Sequence, residues 1–212
     1  MTDMLGNQSV EALLADLASN KPTPGGGSVA ALTGAMAAGL VSMVCSIMLK
    51  KNQSGEEESE LNALHARAEE LRLELQSLAA EDIDVFERLS AAYKLPRTTD
   101  ADAASRRAAI QVVTRHAAEV PFRTARAAAQ IISLCTALAH RCTRLLVSDV
   151  GVAATLARAS TQSSFLNVEV NLAGLDDKNY VRQMRAQIED LSVGLSEETQ
   201  GVLEIVLARI NE

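Results

Sequence analysis

From Ser28 to Leu49 the chain runs for 22 residues without a charged side chain, a length sufficient for a helix to cross a bilayer. The side chains that fill the run argue for a different use. Ala30, Gly34, Ala38, Ser42 and Ser46 recur every four residues and form one narrow ridge, and Ala31, Ala35 and Gly39 form the ridge beside it. Ridges of small residues let two helix backbones approach closely, in water as well as in lipid. No other segment is of this kind, so the run is expected to be the central helix of a soluble bundle, with no membrane as partner. It is buried on most sides, either within the domain or at a subunit interface.

A core of this sort needs other helices around it. Apolar residues make up 48% of the sequence and aromatics only 2%, a composition suited to Ala/Leu helices packed through small side chains and unsuited to a β-sandwich. About seven helical stretches can be read from apolar periodicity and caps. The first spans about Ser9 to Ala18, with Ser9 as N-cap. The segment Lys21–Gly27 is expected to be a loop, and the uncharged helix begins near Ser28. A third helix runs from about Glu56 to Tyr93, its acidic start suiting the helix dipole. A fourth begins near Asp100 and meets Pro121, which starts a fifth helix or kinks the fourth. A sixth runs from about Ser148 to Leu172. The last extends from Lys178 towards Ile210, with an interruption expected at Gly194. The expectation is an all-α bundle forming one domain, 1–212, with a buried small-residue helix.

Charge and cysteine usage narrow the function. A net charge of −7 argues against nucleic acid as a partner, since nucleic acid selects a basic face. Cys45, Cys135 and Cys142 form no CxxC pair and the three histidines are scattered, so no metal site is expected. Three unpaired cysteines and an acidic N-terminus without an apolar signal core fit the cytoplasm.

Two anomalies mark candidate chemistry. The third helix carries a heptad seam of Leu61, Leu64, Ala68, Leu71, Leu75, Leu78, Asp82, Val85, Leu89 and Ala92. Asp82 stands where Leu or Ala belongs, and a lone buried carboxylate is costly unless it is paired or opens onto a cavity. Either the seam surfaces at Asp82, or Asp82 points into a pocket as an acid–base group. On the sixth helix, Ser160, Ser164, Asn167 and Asn171 share one stripe. They make either a ligand-bonding face or a polar helix contact. Pro24, Gly25, Gly26, Gly27 and Ser28 precede a helix start, where bare amides and the dipole suit an anion or a developing oxyanion. A flexible turn capped by Ser28 is the alternative. Lys50 and Lys51 suit a helix C-terminus, or an anionic substrate tail. Asp149 reads as an N-cap or first-turn acid.

Together these segments resemble the cyclodeaminase/cyclohydrolase family of folate enzymes. That family includes the C-terminal domain of formiminotransferase-cyclodeaminase and stand-alone bacterial methenyltetrahydrofolate cyclohydrolases. The resemblance rests on Pro22–Ser28 before the Ala/Gly-rich helix, Lys51, Glu81-Asp82 with Phe86, Leu95-Pro96, Val120-Pro121, Ser148–Ala154, and Leu166-Asn167-Val168 with Asn171. It implies an all-α homodimer, a tetrahydrofolate derivative as substrate and no metal or redox cofactor. The activity it implies is methenyltetrahydrofolate cyclohydrolase, with formiminotetrahydrofolate cyclodeaminase as the alternative. It also implies Asp82 and Lys51 as catalytic residues. Pro24, Gly25, Gly26, Gly27, Ser28, Ser148, Asp149, Asn167 and Asn171 would bind substrate. The sequence departs from the family at Arg141–Arg144, Asn52–Ser54 and Ser163-Ser164. These departures motivate a rival reading, a non-catalytic or altered-substrate helical protein of the same fold.

Overall fold

The computed structural model describes residues 8–50 and 55–211 and is helical throughout, with no strand among the described residues. Among the described residues seven helices follow one another: α1 Val10–Leu17, α2 Gly26–Leu49, α3 Glu56–Tyr93, α4 Asp100–Ala139, α5 Val147–Leu172, α6 Lys178–Ser192 and α7 Leu195–Asn211. One helix of 40 residues runs through Pro121, where a new helix or a kink is expected, and the last stretch is two helices divided at Gly194, where an interruption is expected.

Local chemistry sets these boundaries. Ser9 caps α1 by accepting from the Ala12 amide at 3.1 Å. Thr99 and Asp102 form a reciprocal capping box at the start of α4, which satisfies two amides that a helix start leaves bare. Gly194, at φ +74, breaks the chain between α6 and α7; this left-handed conformation favours glycine. Pro121 does not break α4 because a neighbour replaces the bond it lacks. Proline has no N–H to give the carbonyl one turn back, Ala117. Asn171 of α5 donates its Nδ2 to that carbonyl at 2.8 Å.

α2, α3, α4 and α5 form a four-helix bundle, closed at one side by α7 against α5 and α4. The main core runs through these five helices, and a smaller one joins α4, α5 and α6 around Phe122, Val168, Leu172 and Met184. The heptad seam of α3 is buried at Leu61, Ala68, Leu71, Leu75, Leu78, Val85 and Ala92. Both small-residue ridges of α2 are used within the chain. A Cβ on Gly34 would lie 2.8 Å from Ser160 Oγ and 3.1 Å from Leu75 Cδ1, so α3 and α5 approach α2 from two sides at that glycine. The ridge serines are also met: Ser46 Oγ lies 3.0 Å from His65 Nε2, and Ser42 helps hold the Glu69 carboxyl well below the usual range, after the larger effect of Arg72. α2 therefore qualifies by length and apolarity for a membrane span yet serves as the spine of a bundle.

Candidate active site

The N-terminal end of α2 meets the middle of α3 and the C-terminal half of α5. Gly25 is the N-cap in extended conformation, and α2 starts at Gly26. Gly26 and Gly27, expected in the loop, are thus helical. Asp82 decides that the second of them carries no side chain. A Cβ on Gly27 would sit 2.1 Å from Asp82 Oδ1, 2.5 Å from Cγ and 2.7 Å from Oδ2. Only a residue without a side chain lets the carboxylate lie against the first turn of α2.

Ser28, fully buried, donates its hydroxyl to Asp82 Oδ2 at 2.8 Å. The α3 seam does not surface here: Asp82 is half-buried, and it forms no ion pair with any described residue. Burial raises its pKa above the ordinary carboxylate value, and hydrogen bonds from the Ser28 hydroxyl and amide pull it partly back. A carboxylate held in this way takes up a proton more readily than one in water, which is what an acid–base group needs.

Its neighbour Glu81 points elsewhere. Both Glu81 oxygens accept from Arg123 at 2.9 Å, and His116 Nε2 lies 3.0 Å from Oε1. Arg88 contacts the other His116 nitrogen at 3.2 Å. Two adjacent acids thus divide between a clamp to α4 and a carboxylate that pairs with no cation among the described residues.

The polar stripe of α5 splits between the two readings open to it. Ser160 donates to Ala30 O at 2.6 Å, and Asn171 bridges Ala117 O and Asn167 O, each at 2.8 Å. These two make helix contacts. Ser164 is buried with no hydrogen-bond partner among the described residues. Asn167 donates to Ser163 O at 2.9 Å, and its Oδ1 lies 3.5 Å from where a Gly26 Cβ would be. Asn167 therefore faces the start of α2, where a ligand's donor can meet its carbonyl oxygen. Half-buried Pro24 and Gly25 lead into the same corner.

The structure does not bring every expected site residue there. Ser148 and Asp149 lie in the first turn of α5, and their offset from Asn167 amounts to about 27 Å of helix. Lys50 caps the far end of α2 and is exposed. Lys51 lies outside the described residues, as do Asn52, Gln53 and Ser54.

Sequence reasoning singled out Glu81 and Phe86 only through the family resemblance and missed the clamp on Glu81. The clamp had a readable signal in the arginines and histidine of α4, but only packing shows which acid they meet. Phe86, one turn beyond Asp82 on α3, is 42% exposed. It offers an uncovered ring on the helix face that carries the carboxylate, four residues on from Asp82.

Comparison with known proteins places the chain among relatives of similar sequence and fold. Residues 9–190 match the profile of the formiminotransferase-cyclodeaminase family. The chain is 37% identical to a methenyltetrahydrofolate cyclohydrolase of Methylorubrum extorquens, covering 98% of this chain and all of that one. It is 30% identical to the formimidoyltransferase-cyclodeaminase of Sus scrofa, covering 96% of this chain and 38% of the longer protein. The crystal structure of a formiminotetrahydrofolate cyclodeaminase from Thermotoga maritima superposes with a TM-score of 0.84 at 29% identity, covering 96% of this chain and 98% of that one.

Proposed function

The chain belongs to the formiminotransferase-cyclodeaminase family, and from that premise we propose that it is a methenyltetrahydrofolate cyclohydrolase. The observation that carries the reading is Asp82, a carboxylate of raised basicity fixed by Ser28 over Gly27 and free of described cations. The full-length likeness to a cyclohydrolase supports this activity in particular.

The substrate's methenyl carbon is shared by two nitrogens, N5 and N10, and carries delocalised positive charge. Water adds to that carbon through oxygen, and Asp82 takes one proton from it. The product of addition is a neutral tetrahedral carbon. Protonated Asp82 then gives its proton to N5, the carbon–N5 bond breaks, and the hydroxyl proton leaves to solvent as the formyl carbonyl forms on N10. One proton is released overall. Asp82 is thus base in the first step and acid in the second, so a pKa above that of a solvent-exposed carboxylate serves both.

The other residues position the substrate. The bare amides of Gly26 and Gly27 at the α2 N-terminus bind oxygen of partial negative charge. Asn167 Oδ1 accepts from the pterin, and exposed Phe86 offers a stacking surface. Asn171 acts through the α4–α5 contact and orients Asn167. Lys51 remains a proposed partner for charge on the substrate, as Ser148 and Asp149 remain proposed contacts. No metal or redox cofactor is needed for this chemistry, and a cytoplasmic setting suits it.

We also propose that the chain forms a homodimer. α2 leaves Val29, Met36 and Met43 exposed on one face, and its neighbour α5 leaves Val152, Leu166 and Val170 exposed. The exposed stripes of both helices are uncharged apart from their ends, which marks an association surface more than a solvated one.

The test follows loss of the methenyl chromophore in wild type and Asp82→Asn. The variant should fold and lose roughly two to four orders of magnitude in turnover, the range for a general acid–base group. Near-normal turnover would remove Asp82 from the mechanism. Wild-type activity confined to the formimino substrate would assign the cyclodeaminase reaction, which the Thermotoga maritima likeness favours.

A further inference from the structure

The apolar face of α1 is left uncovered by the described residues of its own chain. Val10, Leu13, Leu14 and Leu17 fall on one face at helical spacing, yet α1 buries no residue and packs extensively against no other helix. Val10 is 73% exposed and Leu14 58%. The helix is nonetheless well formed, capped at Ser9 and tied at its end by Asp16 to Lys21. An eight-residue helix in water is below the length at which helices hold by themselves, so its apolar face calls for a cover.

The described chain also carries an apolar groove of about 320 Å³ between α5 and α7. Gly151, Val152, Leu156, Leu203, Val206 and Ile210 line it, with no charged side chain among its lining residues. It lies at the start of α5, whereas α1 lies at the Gly25 end of α2. α5 runs antiparallel to α2, with Asn167 beside Gly26 and Ser160 beside Ala30. The Gly25 end and the groove are therefore at opposite ends of the bundle.

A two-fold axis perpendicular to α2 would bring them together. Val29, Met36 and Met43 are evenly spaced about Met36 on the exposed face of α2. An isologous contact centred there, about a two-fold axis perpendicular to α2, would set Val29 of each chain against the partner's Met43. Gly26 then lies level with the partner's Ser46, which is the level at which the partner's α5 begins. The helix preceding Gly26 arrives at the end of the partner that carries the groove.

We propose that α1 is an exchanged arm: in the homodimer, the Val10–Leu13–Leu14–Leu17 stripe of each chain lies in the α5/α7 groove of the other. The inference rests on the homodimer reading and adds to it a second, peripheral contact that locks the two chains. It places no demand on the reaction itself.

The test is cross-linking with a short bis-maleimide between differently tagged chains co-expressed in the same cells. One chain carries Leu14→Cys, the other Val152→Cys or, in a second pair, Ile210→Cys. The native thiols do not compete: all three cysteines are buried, and burial pushes the Cys45 thiol up to about 11 and raises the other two. The expected result is a covalent dimer containing one chain of each kind in at least one pair, and none when either variant is expressed alone. A second variant, Val10→Asp with Leu14→Asp, alters only exposed positions and should raise the dimer dissociation constant at least tenfold. A dimer by light scattering with no cross-link in either pair and no change in dissociation constant would overturn the exchanged arm and leave the homodimer standing. A link formed only within one chain, when Leu14→Cys and Val152→Cys are combined, would likewise overturn it. A folded wild-type monomer at micromolar concentration would overturn the homodimer and the arm together.

Discussion

Replacing Gly27 with alanine probes the site at its tightest point. The new methyl would sit 2.1 Å from Asp82 Oδ1 and within 2.7 Å of both other carboxyl atoms. No bonded-distance adjustment accommodates that, so the carboxylate must swing away from α2 and release Ser28. Overpacking of a dense interior costs about 1–3 kcal/mol, and a lost hydrogen bond to a charged acceptor costs about 1.5–3 kcal/mol. The better helix propensity of alanine returns at most about 1 kcal/mol. The net expectation is a loss of roughly 2–5 kcal/mol, which lowers the melting temperature of a chain this size by several degrees. Turnover should fall at least a hundredfold, because the proton-carrying group has been moved. Gly26→Ala is the internal control. Its methyl would meet nothing nearer than Asn167 Oδ1 at 3.5 Å, an ordinary contact, so its melting temperature should stay at or slightly above that of wild type. Thermal unfolding by circular dichroism and initial rates of methenyl chromophore loss measure both variants. A Gly27→Ala protein with wild-type melting and wild-type rate would refute the account of how Asp82 is held.

Other consequences are separately measurable. Asp82 has a folded-state pKa raised by burial, so its ionisation costs stability, and that cost grows as pH rises through the folded pKa. Asp82→Asn should therefore melt at or above wild type near pH 7, the gap closing below the unfolded pKa of about 3.9; a lower-melting variant at neutral pH would contradict the assigned burial cost. Ser28→Ala removes a hydrogen bond that lowers the Asp82 pKa, so the acid limb of the pH–rate profile should move to higher pH; an unmoved limb would detach Ser28 from the titration. Asn171→Ala leaves the Ala117 carbonyl bare and should cost about 1–3 kcal/mol. In a Pro121→Ala background the restored amide can serve that carbonyl, so the same change should cost less, with a coupling of about 0.5–2 kcal/mol; strict additivity would refute the link between Pro121 and Asn171. Gly34→Leu should fail to fold stably even as a monomer, because Ser160 and Leu75 of its own chain fill the space; a folded, monomeric variant would move that glycine to the subunit interface.

The composition and the 3.6-residue periodicity suffice for an all-α bundle with α2 at its centre, because burial of apolar stripes depends on local spacing alone. The Asp82 anomaly is visible in the same way, as a carboxylate within the apolar seam of α3. Where local rules misled, a distant partner was responsible. Pro121 reads as the start of a new helix or a kink in the old one, and α4 runs through it because Asn171, from another helix, serves the Ala117 carbonyl. Gly26 and Gly27 read as loop and form the first turn of α2, with Asp82 in the space a Gly27 side chain would take. The ridges of α2 read equally as subunit interface or interior. The choice fell to the interior because α3 and α5 both close on Gly34, leaving the valine and methionine face outside. Among the polar residues of α5, Asn167 faces the site while Ser160 and Asn171 brace helices, though all share one stripe. The glycine loop, the lone aspartate and the asparagines are local facts of the sequence. That Gly27, Ser28, Asp82 and Asn167 share one corner, with Asp149 about 27 Å of helix away, follows only from the antiparallel packing of α2 against α3 and α5.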